Sequence, residues 1–112
     1  MAISIGRRVD SMAAIERPGD YYLNEAGTVG ANDRALWFCL PIDDPAGIDT
    51  ELPDGTTYKR SPLLRITEPP WTFRECPDGS IEVRASILTY QMDGTTPRWH
   101  GYLDEGHAWR EC

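Results

Sequence analysis

The last stretch of the chain, residues 98–112, reads RWHGYLDEGHAWREC. It holds both histidines of the chain and two of its four tryptophans. Apolar residues alternate with polar ones on either side of the turn sequence Asp104-Glu105-Gly106, a pattern typical of two antiparallel strands joined by a short turn. We therefore predict a β-hairpin here, and we expect the rest of the chain to pack around it.

Side-chain alternation along the first strand of this hairpin divides its residues between two faces. Trp99, Gly101 and Leu103 share one face, and their apolar character indicates that this face joins the core. His100 and Tyr102 share the other face. We therefore expect His100 and Tyr102 to point outward, where they can contact a partner.

The hairpin register also predicts two facing pairs of basic residues. Arg98 and Arg110 should lie opposite each other near the open end. His100 and His107 should face each other across the hairpin, close enough to offer two ligands to one metal ion.

Turn sequences containing proline, glycine and aspartate recur along the chain, with short strand-like runs between them. Nine prolines and ten glycines in 112 residues leave little room for long helices. This pattern predicts an all-β fold, either a small antiparallel sandwich or a partly open barrel, with at most one short helix. The length predicts a single β-rich domain over residues 1–112.

Several short strands are predicted outside the hairpin. Residues 35–42, ALWFCLPI, form the most apolar run and indicate a central strand buried on both faces. Residues 2–6 are typical of an edge strand. Residues 80–88 alternate regularly, which predicts one continuous strand with one wet face. The apolar side chains of that strand are Ile81, Val83, Ala85 and Ile87.

The net charge of −7 argues against a groove that follows a nucleic-acid backbone. No run is long and apolar enough for a signal peptide or a membrane span, so we expect no membrane contact. Three cysteines, an odd number, are not typical of a secreted disulfide framework. We therefore expect reduced thiols and a location in a host cytoplasm.

A run of carboxylates with no basic residue among them lies between residues 43 and 54. We expect a solvated acidic loop, and it offers a second surface for a basic partner. Its spacing does not match a calcium-binding loop. The carboxylates are Asp43, Asp44, Asp49, Glu51 and Asp54.

Few residues of the chain are candidates for binding a metal ion or for catalysis. A tetrahedral zinc site could draw on Cys39, His100, His107 and Cys112, with Cys76 as a further thiol. However, the chain lacks the Cys-x-x-Cys and His-x-x-x-His spacings typical of such sites. It also lacks a serine-hydrolase elbow and a glycine-rich phosphate loop. We therefore predict no catalytic residue and keep zinc as an open alternative.

Four pieces of the chain, in order, resemble a family of small uncharacterised phage and prophage proteins. The most specific is the last, a C-terminal Trp-His-Gly-Tyr-Leu motif. The pieces are Pro18-Gly19-Asp20-Tyr21-Tyr22, Leu36-Trp37-Phe38-Cys39-Leu40-Pro41, Pro70-Trp71-Thr72-Phe73 and Trp99-His100-Gly101-Tyr102-Leu103. The family tends to show Pro-Ser-Ile where this chain has Ala85-Ser86-Ile87. The resemblance implies a phage origin and a compact β-rich fold, and it implies no particular reaction.

Together these features favour a non-catalytic phage accessory protein that binds a host or phage protein. An inhibitor of a host defence or host enzyme is the first hypothesis. The alternatives are a virion component of the capsid or tail and a small metal-dependent hydrolase. We expect His100 and Tyr102 to form the contact patch, and the sequence does not predict the oligomeric state. The acidic residues expected to add a second contact are Asp43, Asp44, Asp49 and Glu51.

Overall fold

The computed structural model describes residues 3–25, 34–44, 47–68, 70–90 and 94–112. These residues form strands and a single turn of 3-10 helix, Met12–Ala14. Within them, no helix has the length and apolar character needed to cross a bilayer. The strands are β1 (Ile3–Ile5), β2 (Arg7–Arg8), β3 (Asp20–Asn24), β4 (Arg34–Phe38), β5 (Ile48–Glu51), β6 (Thr57–Arg60), β7 (Leu64–Glu68), β8 (Thr72–Glu75), β9 (Ile81–Arg84), β10 (Ile87–Tyr90), β11 (Pro97–Asp104) and β12 (Ala108–Glu111).

The strands of the described residues form two four-stranded sheets and two hairpins. The terminal sheet has the strand order β1-β12-β11-β10, and the central sheet has the order β2-β3-β4-β7. The hairpins are β5-β6 and β8-β9. All pairings are antiparallel except that of β2 with β3. The predicted all-β fold is confirmed as a small sandwich, and the described strands close no barrel. The predicted edge strand and C-terminal hairpin are confirmed as β1 and β11-β12.

One apolar core lies between the sheets and draws side chains from both. Burial of large apolar side chains from two facing sheets is the main force that holds such a sandwich together. The core residues are Tyr21, Leu23, Leu36, Phe38, Leu40, Ile66, Phe73, Ile81, Val83, Ile87, Trp99, Leu103 and Trp109.

Trp109 on β12 links the two sheets. Its side chain is only 1% exposed. Its indole Nε1–H donates a 2.8 Å hydrogen bond to the carbonyl of Gly19, which comes just before β3 of the central sheet. Its ring lies 5.5 Å from Phe38 and edge-on to Trp99 and Tyr21, at centroid distances of 5.7 and 6.2 Å. Tilted and edge-on aromatic pairs are favourable beyond the area they bury.

Gly6 is the point where the chain passes from β1 in one sheet to β2 in the other. A Cβ atom at this position would lie 2.3 Å from the Gly19 carbonyl oxygen and 2.6 Å from the indole nitrogen of Trp109. Any larger residue would therefore push the two sheets apart at this crossing. The Gly6 N–H also donates a 2.7 Å hydrogen bond to the carbonyl of His107.

The Asp20 carboxylate secures the start of β3 on the central sheet. It is 1% exposed, and buried carboxylates are tolerated only when their oxygens are paired. Arg7 donates two hydrogen bonds to it, of 3.2 and 2.8 Å, and the backbone N–H groups of Glu16 and Arg17 donate two more. This network fixes the turn that precedes β3.

The apolar run at residues 35–42 forms an interior strand, as predicted, but it is shorter than expected. The strand β4 ends at Phe38, and Leu36 and Phe38 are fully buried. The prediction that this strand is buried on both faces is wrong at Trp37, which is only partly buried. Its ring points to the outer face of the central sheet, where the guanidinium of Arg65 lies 5.7 Å from it.

The single strand predicted over residues 80–88 is wrong, because the chain changes sheets within it. Its first half is β9, which pairs with β8, and its second half is β10, which pairs with β11. Ala85 and Ser86 lie between them, and the Arg84–Ala85 peptide bond is cis. Ala85 is exposed and does not share the buried face of Ile81 and Val83.

Replacing Trp109 with alanine should lower the free energy of unfolding by about 3–5 kcal/mol, because it removes a buried aromatic ring and its hydrogen bond. Urea unfolding followed by circular dichroism measures this. Tyr90→Ala is the matched control, since Tyr90 is 48% exposed and its loss should change stability by less than about 0.5 kcal/mol. Equal effects of the two substitutions would contradict the central position of Trp109.

Candidate functional site

The two faces of the C-terminal hairpin are as the alternation predicted. Trp99, Gly101 and Leu103 are buried, whereas His100 and Tyr102 are partly exposed on the opposite face. This opposite face is the outer surface of the terminal sheet.

Tyr102 lies between two guanidinium groups on this outer surface. The guanidinium of Arg110, directly opposite on β12, is 4.4 Å from the ring centroid. The guanidinium of Arg84, which reaches over from β9, is 5.2 Å from it. Both distances fall within the range in which an aromatic ring attracts a cation.

Asp104 holds both arginines in place. It accepts a 2.8 Å hydrogen bond from Arg110 Nε and a 2.9 Å hydrogen bond from Arg84. Partial burial disfavours its ionised form, but the hydrogen bonds from the two arginines outweigh that cost and lower its pKa. The same contact raises the pKa of Arg110. Asp104 and Arg110 are therefore both charged at neutral pH.

We call this cluster the arginine–tyrosine face, and it includes one further aromatic residue, His100. The Nε2 atom of His100 lies 3.1 Å from the Oγ of Ser86. The members of the arginine–tyrosine face are Arg84, Ser86, His100, Tyr102, Asp104 and Arg110.

Exposed apolar side chains border this face at both edges of the terminal sheet. At one edge, Ile3 and Ile5 on β1 are 62% and 71% exposed. Ile3 pairs with Arg110, so it borders the arginine–tyrosine face on the same side of the sheet. At the other edge, Leu88 on β10 is 42% exposed and pairs with His100.

A cavity of about 180 Å³ opens beside the arginine–tyrosine face. The Trp71 indole N–H donates a 3.1 Å hydrogen bond to the carbonyl of Ser86, which fixes one side of the cavity. Its lining is mostly apolar and comes from Pro70, Trp71, Ala85 and Ser86.

The prediction that His100 and His107 face each other across the hairpin is wrong. His107 lies in the turn between β11 and β12, in the left-handed conformation with φ of 60°. Its Nδ1 makes a 2.5 Å hydrogen bond with the hydroxyl of Tyr21. His100 bonds instead to Ser86 on the outer face, so the two imidazoles serve different contacts.

The predicted facing pair of arginines is also wrong, because the β11–β12 register pairs Arg110 with Tyr102 and leaves Arg98 outside the paired residues. Arg110 is opposite Tyr102, whereas Arg98 turns inward. Its Nε lies 3.4 Å from the carboxylate of Asp44, with side chains that are 8% and 5% exposed. This buried ion pair joins the start of the hairpin to the acidic segment.

The acidic segment is not a simple loop, and part of it is the strand β5, which pairs with β6. Two hydrogen bonds from Lys59 hold the acidic segment in place. Its backbone N–H donates a 2.6 Å hydrogen bond to Asp43, and its ammonium group donates a 2.8 Å hydrogen bond to Asp49. Asp44 is 4% exposed and therefore not available to a partner. Glu51 is exposed on β5.

The four zinc candidates are not brought together. Cys39 is fully buried beside Ser61, and Cys112 is exposed at the end of the chain. Among the described residues, three metal-ligating groups meet within 4.8 Å of one another only at Cys76, Asp78 and Glu105. The Asp78 carboxylate there already accepts hydrogen bonds from the backbone and hydroxyl of Ser80.

Sequence reasoning predicted the outward positions of His100 and Tyr102 but missed their neighbours Arg84 and Asp104 and the position of Arg110. Arg84 carried a weak signal, since the alternation of residues 80–88 pointed it outward. Its contact with Tyr102 depends on β9 packing next to β11, which no local pattern reveals.

Comparisons of the chain with protein-family models, with curated proteins and with solved structures found no match. The resemblance to phage proteins therefore stays a prediction from the quoted motifs.

Stability should fall at alkaline pH because two core groups fold in their neutral forms. Burial raises the pKa of the Cys39 thiol to about 11 and that of the Tyr21 hydroxyl to about 12. In the unfolded chain the thiol and the hydroxyl have pKa values of about 8.5 and 10. Their stabilisation is therefore complete below those values and is lost as the pH rises to about 12.

Replacing Cys39 with alanine should flatten the decline between about pH 8.5 and 11, a contribution of about 3 kcal/mol. Urea unfolding of the wild type and the variant across this range measures it. Cys112→Ala is the control, since that thiol is exposed. An unchanged slope in the Cys39 variant would show that its ionisation is not linked to folding.

Proposed function

We propose that this chain is a non-catalytic phage accessory protein that binds another protein through the arginine–tyrosine face. The observation that carries the proposal is the Tyr102 ring held between Arg84 and Arg110, with Asp104 bonded to both. Tyrosine and arginine are among the residues enriched at the energetic centres of protein interfaces.

The face is pre-organised in a way that suits binding. Asp104 and the Tyr102 ring restrict both arginine side chains before any partner arrives. Ordering flexible side chains on association costs about 0.5–1.5 kcal/mol each, so a face that is already ordered loses less. The edge residues Ile3 and Leu88 add apolar area around the polar centre.

The local charge suggests the character of the partner. The chain carries a net charge of −7, and the two arginines of this face are matched by two carboxylates, Asp104 and Glu82, the latter 3.6 Å from Arg84. Arg110 uses Nε for Asp104, and its terminal nitrogens have no hydrogen-bond acceptor among the described residues. An acidic group on the partner would pair with them.

We place an inhibitor of a host defence or host enzyme first, acting in the host cytoplasm, because a compact ordered face can cover a site on another protein. A virion component of the capsid or tail is the second candidate. The exposed apolar edge of β1 favours it, since an open sheet edge can pair with a strand of another subunit. The exposed carboxylates of Asp49 and Glu51 offer a second contact in either case.

Affinity capture from a host lysate, followed by mass spectrometry, should identify the partner and separate a host protein from a virion protein. The purified partner is then titrated against variants by calorimetry. The His100→Ala/Tyr102→Ala double variant should bind at least about 100-fold more weakly, because it removes two residues at the centre of the face.

Arg65→Ala is the matched control, since Arg65 also lies over an aromatic ring, that of Trp37, but on the outer face of the other sheet. It should bind with unchanged affinity. A folded double variant with full affinity would overturn the proposal. Loss of binding in the Arg65 variant instead would move the site to the central sheet.

A further inference from the structure

The cavity beside the arginine–tyrosine face has the size and lining of a receptor for one apolar side chain. Its volume is about 180 Å³, and an apolar cavity of about 150 Å³ is enough to hold a benzene molecule. A phenylalanine or leucine side chain therefore fits.

The polar groups at the cavity are already paired, which lets an apolar group enter at little cost. The Trp71 N–H is bonded to the Ser86 carbonyl, and the Ser86 hydroxyl to His100. An entering apolar side chain would strip neither group of its partner, whereas leaving a buried donor or acceptor unpaired is costly.

The charges beside the cavity favour an acidic surrounding for that side chain. Arg84 directly precedes the cavity residue Ala85, and its side chain is 43% exposed. Arg84 is paired with Asp104 and lies 3.6 Å from Glu82, whereas Arg110, 32% exposed, keeps terminal nitrogens with no hydrogen-bond acceptor among the described residues. At physiological salt, charges act over about 8 Å, so these nitrogens rather than the net charge of the chain attract an acidic group.

We propose that the cavity receives a single phenylalanine- or leucine-sized side chain of the partner protein, flanked in that partner by acidic residues. This inference rests on the proposed binding function and names the recognition element of the same face. The Ser86–His100 hydrogen bond joins the cavity to the face, so one extended partner segment can reach both.

Three acetylated and amidated tripeptides, Asp-Phe-Asp, Lys-Phe-Lys and Asp-Ala-Asp, test it by NMR titration of the ¹⁵N-labelled full chain. Asp-Phe-Asp should shift the Trp71 indole and the Ser86 and His100 amides. Lys-Phe-Lys should bind at least fivefold more weakly, and Asp-Ala-Asp should leave these signals unshifted.

The Ala85→Leu variant should abolish binding of Asp-Phe-Asp, because its side chain fills the cavity from the exposed rim. Ala85→Ser is the matched control and should bind as the wild type does. Equal binding of the three peptides, no binding of Asp-Phe-Asp, or shifts away from the cavity would overturn the inference. The double variant on the face tests the binding function separately, so each can fail without the other.

Discussion

The hydrogen bond from the Trp109 indole to the Gly19 carbonyl is the contact on which the rest of the structure depends. It joins the last strand of the chain to the turn before β3, so the terminal and central sheets meet at one buried ring. Gly6 and Gly19 leave the space for that ring, since a Cβ atom at either would approach it closely. A small sandwich has little core to spare, and one large aromatic residue shared by both sheets contributes much of it.

This internal arrangement determines what the outer face of the hairpin can do. Trp99, Leu103 and Trp109 fill the inner face, and alternation then places Tyr102 and Arg110 together on the outside. Packing thus fixes the backbone beneath the arginine–tyrosine face without using its side chains. Substitutions on that face should consequently change binding while the core stays intact.

Local patterns in the sequence predicted the all-β class, the edge strand and the two faces of the hairpin, because alternation with a period of two is a property of neighbouring residues. These patterns failed where contacts between residues far apart in the sequence determine the structure. Ala85 continued the alternation of residues 80–88, yet the chain changes sheets there. Arg98 turns inward at a bulge to reach Asp44, far away in sequence. The contact of Arg84 with Tyr102 requires two strands to pack in a way that only the fold determines.

Hydrogen exchange of the Trp109 indole N–H, followed by NMR, tests most directly whether this ring holds the sheets together. A buried, hydrogen-bonded proton at the junction should exchange only when the whole fold opens, at the rate of the slowest backbone amides of β11. The indole N–H of Trp37, which has no hydrogen-bond acceptor among the described residues, provides a faster internal reference. Exchange of the Trp109 proton as fast as that reference, while the β11 amides stay protected, would contradict the account.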